Sequence, residues 1–292
     1  MYRLLPTGVA ICAAMCLAFS AVGVCTAQDI RVPQTATAGE EATISTTGTG
    51  KATFYLVGPA VSRKSDLILG EEIHLPAQDL RNAGGYLAVV CSDTCRSAAF
   101  YVSAAKPAIL TFLVHPSRVP VSRPDAVSGV AIPFDKFHNQ VLAPETVNFQ
   151  STAGTSSLFS RQARTQDGIA WFRTASGKSA GTVQVVASLD DIAAKRAVQQ
   201  VASDPCNLRI KGQRTANGIV VETEPVHDCA GNVVPDGTIV TFTATEDNNR
   251  STVDAPIKKG IARAQIEGTG PASISVASGV VMGNELRIGA KP

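Results

Sequence analysis

Aromatic side chains make up only 5% of this 292-residue chain, with a single Trp and four His. So few rings leave little for base stacking, which argues against a groove for nucleic acid. Charge is just as sparse: 26 Lys and Arg nearly balance 24 Asp and Glu, for a net of +2. Removing an N-terminal leader with Arg3 lowers this to +1, so the electrostatic footprint of a nucleic-acid binder is missing. The histidines, His74, His115, His138 and His227, fall in no metal-ligand spacing, and none is tied by motif to a serine and an acid. General acid–base chemistry therefore has few groups to draw on, and the expectation is a protein with no catalysis, no metal and no cofactor. Past the leader, no apolar run is long enough to span a bilayer.

Helical periodicity is confined to SLDDIAAKRAVQQV (188–201), where Ser188 and Asp191 have the spacing of a capping box. An internal repeat, described below, sets this stretch opposite SGVVMGNELRI. It is therefore expected to form a turn and then a strand.

The composition itself, 45% hydrophobic and 17% charged, is that of a folded chain with a sizeable core. Residues 1–27 carry one basic residue, then an apolar run, then small residues, the layout of a secretory signal peptide. Cleavage after Ala27 leaves Gln28 or Asp29 as the mature start. Acylation at Cys25 is an alternative, although Val24 stands where a small residue is wanted, and an uncleaved anchor is a third. The protein is expected to be exported, to the periplasm, the cell surface or the medium. Of the seven cysteines, Cys12, Cys16 and Cys25 leave with the leader, and Cys91, Cys95, Cys206 and Cys229 remain. An even number in an oxidising compartment reads first as disulfides.

Two stretches overlay. In SGVAIPFDKFHNQVLAPETVNFQSTAG (128–154) and NGIVVETEPVHDCAGNVVPDGTIVTFTATE (217–246), Asp135 meets Asp228, Asn139 meets Asn232, Val147 meets Val240 and Phe149 meets Phe242. Further on, Asp167-Gly-Ile-Ala answers Lys259-Gly-Ile-Ala. Self-similarity at a nearly constant offset marks repeated domains. Within each copy, short runs alternate apolar and polar residues between Gly, Pro, Asn and Asp, as half-buried strands do. Residues 29–104 diverge but still read as strands, at 42–46, 53–57, 66–70, 85–91 and 98–102. The expected fold class is all-β: three tandem sandwiches over 29–104, 106–202 and 205–290. The joints at Lys106-Pro107 and Asp204-Pro205 are short, contain Pro and should be semi-rigid.

The pattern D-x-x-G-N-x-V-P-D-G-T-x-V-x-F, then D/K-G-x-A, then G-x-x-x-V-x-A-S, resembles the bacterial Ig-like domain of the invasin and intimin type. Asp228, Gly231, Asn232, Pro235, Gly237, Val240, Phe242, Gly260, Ala262 and Ala277 carry it in the last copy. The middle copy keeps Asp135, Asn139, Val147, Phe149, Gly168 and Ala170, with His138 in place of the glycine before Asn139. The N-terminal part resembles such a sandwich in outline. The resemblance implies a binding or scaffold module of the bacterial cell envelope, whose partner is a protein or another envelope component. Surface adhesion is the alternative it implies.

Several small motifs remain. A Cys206–Cys229 bridge would tie the first strand of the last copy to the turn before VVPDGTIVTF; a metal site of Cys206, His227 and Cys229 is the competing arrangement, though its spacing fits no familiar zinc pattern. Cys91-Ser-Asp-Thr-Cys95 spans an expected hairpin tip, where three intervening residues allow a disulfide. Gly177-Lys-Ser-Ala-Gly181 matches the hydrolase elbow G-x-S-x-G, but a strand, not a helix, is expected after Ser179. Glu246-Asp247-Asn248-Asn249 could offer oxygens to calcium or form a solvated hairpin tip, and Asn249-Arg-Ser251 is a glycosylation sequon. Trp171 takes the outward place that Arg263 holds in the last copy, beside Arg173. It either anchors an interface or packs under a loop or a neighbouring domain. Mass measurement of the mature protein from its native host should give an N-terminus at Gln28 or Asp29; a mass matching acylated Cys25 would overturn that assignment.

Overall fold

Period-two alternation dictates strands, and strands are what forms. The computed structural model describes residues 29–247 and 249–290; the leader lies outside these residues. Every regular element among the described residues is a strand. The buried side chains gather in three clusters that share no residue, one within 30–102, one within 112–198 and one within 208–276.

Each core lies between a small sheet and a larger one. Around the first, Ile30–Arg31, Ala42–Thr46 and Glu72–Leu75 face a five-stranded sheet in the order Ala36–Thr37, Cys95–Ser103, Gly84–Cys91, Lys51–Gly58, Val61–Ile68. Around the second, Ala170–Thr174, Val127–Phe134 and Ile109–His115 face Arg118–Pro120, Ile192–Val201, Gly181–Leu189, Thr146–Ala153 and Ser156–Arg164. Around the third, Ile210–Thr215, Gly218–Thr223 and Arg263–Ile266 face a sheet built on Asn249–Pro256, Ile239–Glu246 and Ala272–Ser278. The helix-like stretch at 188–201 is the end of one strand, a turn at Asp190-Asp191 and the strand Ile192–Val201. Its helical periodicity loses to cross-strand pairing, which joins Val183 to Val198 and Ala187 to Ala194 on the inward side.

The overlaid positions occupy the same places. Val147, Phe149, Val240 and Phe242 are all fully buried. Phe149 lies 4.9 Å from Phe172 and 5.9 Å from Phe112, ring centre to ring centre. Gly129 makes that tilted ring cluster possible, because a Cβ there would come within 2.3 Å of the Phe172 ring. In the first core Tyr86 plays a different part. Its ring stacks on Phe100 and its hydroxyl donates to the carbonyl of Asn82 at 2.8 Å, pinning the loop that precedes its own strand. Truncating Phe149 to Ala should cost about 3–5 kcal/mol. In urea unfolding this should shift only the transition of the middle core, and a uniform shift of the whole chain would contradict three separate cores.

Candidate functional site

A buried carboxylate sits at each boundary between cores. Asp135 is fully buried and Asp228 nearly so. A buried charge is tolerable only when its oxygens are filled by donors. Asp135 accepts from the backbone N–H of Phe137 at 2.8 Å, of Asn139 at 2.9 Å and of Ala105 in the linker at 3.0 Å. The Asn139 side-chain amide donates to it at 2.8 Å. That same amide reaches across to the preceding core: it donates to the Arg81 carbonyl at 2.7 Å and accepts from the Ala83 N–H at 2.8 Å. The second boundary repeats the arrangement. Asp228 accepts from Ala230, Asn232 and the linker residue Ser203 at 2.9, 2.8 and 3.0 Å, while Asn232 bonds the Lys178 carbonyl and the Ala180 N–H, each at 2.8 Å. The D-x-x-x-N spacing is thus a latch between neighbouring cores. His138 adopts φ 67° where Gly231 has φ 86°, so the loop keeps one shape despite the lost glycine.

The two latches are reinforced differently. At the first, the Phe137 ring packs against the N-terminal core in space that a Cβ on Gly39 would fill, 2.2 Å away. At the second, Ala230 stands in the place of Phe137, and a disulfide takes over the reinforcement. Cys206, just past the linker, bonds Cys229 in the latch loop at 2.04 Å, and Pro205–Cys206 pairs with His227–Asp228. Ser203 Oγ adds a bond to the Val121 carbonyl at 2.6 Å. The remaining disulfide, Cys91–Cys95, closes the hairpin between Gly84–Cys91 and Cys95–Ser103.

The other sequence motifs fall into place around this frame. The loop Gly177–Gly181 is the surface that receives Asn232; Ser179 is exposed and the strand Gly181–Leu189 follows it, so the helix that an elbow needs is lacking there. His227 faces the Pro225 carbonyl, and His74, His115 and His138 lie exposed and apart. Among the described residues no three His, Cys, Asp or Glu come together as metal ligands. Asp247 occupies a hairpin tip between Ile239–Glu246 and Asn249–Pro256, and Glu246 accepts from the Gly270 N–H.

Outward sheet faces separate the cores more sharply than their interiors do. On the small sheet of the third core, Lys211, Glu222 and Arg263 lie side by side; Glu222 is 3.1 Å from Lys211 and accepts from Arg263 Nε at 2.9 Å. The equivalent row of the middle core is Leu113, Val130 and Trp171. Trp171 is 60% exposed and Leu113 59%, with Arg173, Ser128 and His115 forming the next row. Trp171 therefore packs under no loop. A second apolar face escaped the sequence reading. On the large sheet of the first core, Tyr55, Val57, Leu87, Val89 and Tyr101 point outward, where the third core shows Thr241, Thr243, Thr245, Ser273 and Ser275. Their alternate spacing in sequence was visible; which side faced water was not.

No family model and no curated protein matches the chain. Solved structures do. The Escherichia coli adhesin FdeC aligns over 91% of this chain and 97% of its own, with a TM-score of 0.59 and 13% identity. Invasin, a bacterial integrin-binding protein, aligns over 91% of this chain and 60% of its own, with a TM-score of 0.55 and 13% identity. InvD of Yersinia pseudotuberculosis aligns over 91% and 98%, with a TM-score of 0.51 and 11% identity. At such identities the likeness is one of fold: the chain is all-β and shares the Ig-like architecture of these adhesin domains.

Burial pushes the Asp135 and Asp228 carboxyls up, but the hydrogen bonds from Asn139 or Asn232 and from the backbone outweigh it and hold both below the ordinary range. A depressed carboxylate contributes stability above the unfolded value, about pH 4, that is lost as pH falls through the folded one. Asn139→Ala should accordingly loosen the first joint at neutral pH, and acid should loosen both in the unaltered protein. Small-angle scattering, read as a wider spread of overall dimensions, checks this; unchanged profiles would contradict the latch.

Proposed function

We propose that the chain is an exported, non-catalytic binding protein of the bacterial cell envelope, made of three modules over 29–104, 106–202 and 205–290. The observation that carries this is the replacement of the Lys211–Glu222–Arg263 row by Leu113–Val130–Trp171 on an equivalent sheet. Folding the sandwich does not need an apolar row on its wet side, since the third core does without one. A Trp and a Leu left more than half exposed beside Arg173 have the composition of a binding anchor. The latched joints support the same reading, because they hold such a face at a set distance and angle from its neighbours. Two disulfides fit an oxidising location, outside the cytoplasm. Among the described residues no helix is long and apolar enough to cross a membrane.

Adhesion at the cell surface is the second reading. It is favoured by the fold shared with FdeC, an adhesin, and invasin, an integrin-binding protein. Protease shaving of intact cells separates the two locations. For the face itself, the test is the variant L113K/V130E/W171R, which carries over the ion row of the third core and should fold. Retention of the purified protein on envelope fractions of its host, or on animal cells, should fall by roughly tenfold or more if this row is the anchor. Undiminished retention of the variant on both would overturn the assignment.

A further inference from the structure

The chemistry of the partner can be carried further, and the inference rests on the binding role given above to the Trp171 face. Charge is unevenly spread along the chain. Residues 106–202 hold ten Lys and Arg against six Asp and Glu, whereas residues 29–104 hold six against eight and residues 205–290 hold eight against nine. The middle core is the basic one between two slightly acidic neighbours.

Part of that excess lines the rim next to Trp171. The strand Ser156–Arg164 is the free edge of the large sheet and Ala170–Thr174 is an edge of the small one. A tight turn through Asp167 and Gly168 joins them, and Phe159 packs on Phe172 at 5.0 Å, so the two edges run together. Arg161, set opposite Phe149 in the ladder, stands on the side of the first edge that faces the small sheet, Arg173 and Trp171 project from the second edge, and all three are exposed. Among the described residues neither of the two arginines takes part in an ion pair. Asp167 in the turn and Glu145, whose N–H donates to Thr165 Oγ1, are the acids along this rim. The corresponding ion row of the third core shows what a neutralised version looks like: there each cation shares Glu222.

We propose that this rim and the Leu113–Val130–Trp171 row together form the docking surface for an acidic polypeptide. Its aromatic or aliphatic side chains would lie on Trp171 and Leu113, and its carboxylates would meet Arg161 and Arg173. Guanidinium groups suit this task because each offers a planar fork to a carboxylate. A second copy of the middle core would bring like charge against like charge, and charge complementarity selects an acidic partner over it.

The experiment uses the mature full-length chain and a labelled random copolymer of glutamate and tyrosine, followed by fluorescence anisotropy over a range of salt. Binding should be present at low salt and weaken as salt rises. R161E/R173E should weaken it by roughly tenfold or more, while K195E/R196E, away from this rim, should leave it within about twofold. Equal binding by the rim and control variants, or no binding by the unaltered chain, overturns the proposal. So does preferential binding of heparin, which would assign the rim to anionic polysaccharide. Self-association in sedimentation that W171R abolishes would also overturn it, by assigning the face to a second copy. Running the rim variant in the envelope and cell retention assay separates this inference from the reading beneath it. Loss with L113K/V130E/W171R but not with the rim variant would leave the apolar anchor standing and remove the acidic partner; loss with neither would remove both.

Discussion

A carboxylate buried at a boundary must be surrounded by donors, and at both joints of this chain that requirement ties neighbouring cores together. Asp135 and Asp228 cannot be satisfied by their own loops alone. Each needs an N–H from the linker, Ala105 or Ser203, and an asparagine that in turn bonds the backbone of the core before it. Removing any member leaves buried polar groups unpaired, which costs far more than the bond itself is worth in net terms. The linker has little freedom left. Everything the outward faces can do depends on this, because a binding row on one core is presented in fixed relation to the next only while the latches hold.

The reinforcements show two physical routes to one end. At the first joint a buried aromatic ring excludes water and needs a glycine opposite it; at the second a covalent bridge shortens the loop instead. The ring is sensitive to anything that fills the space at Gly39, while the bridge is indifferent to packing and sensitive to reductant. One chain thus carries joints that answer to different conditions, although the hydrogen-bonded latch beneath them is the same.

Variation along the chain lies on the wet side of the sheets. Interiors are interchangeable in kind: Phe149 and Phe242 fill equivalent space, as do Val147 and Val240. Outward rows are not. An ion row, an apolar row with a Trp and a threonine face stand on backbones of similar pairing. Since the inward residues carry the stability of the sandwich, the outward ones are free to carry recognition.

Much of this was legible before any coordinates. Strict alternation in GTIVTFTAT and GTVQVVASL announces strands, because period two is the only spacing that puts every second side chain on one face. The offset between Asp135 and Asp228 announced the repeat, and Trp171 could be placed outward by comparison with Arg263. The chain alone therefore determined the fold class, the pairing of inward positions and the location of one candidate face. Tertiary structure decided the rest. That Asn139 and Asn232 reach backward into another core, that the chance G-x-S-x-G loop is the seat for one of them, and that Tyr55, Val57 and Leu87 meet water are matters of long-range placement. Local pattern reports which residues share a face; only the packing of one core against another reports what that face meets.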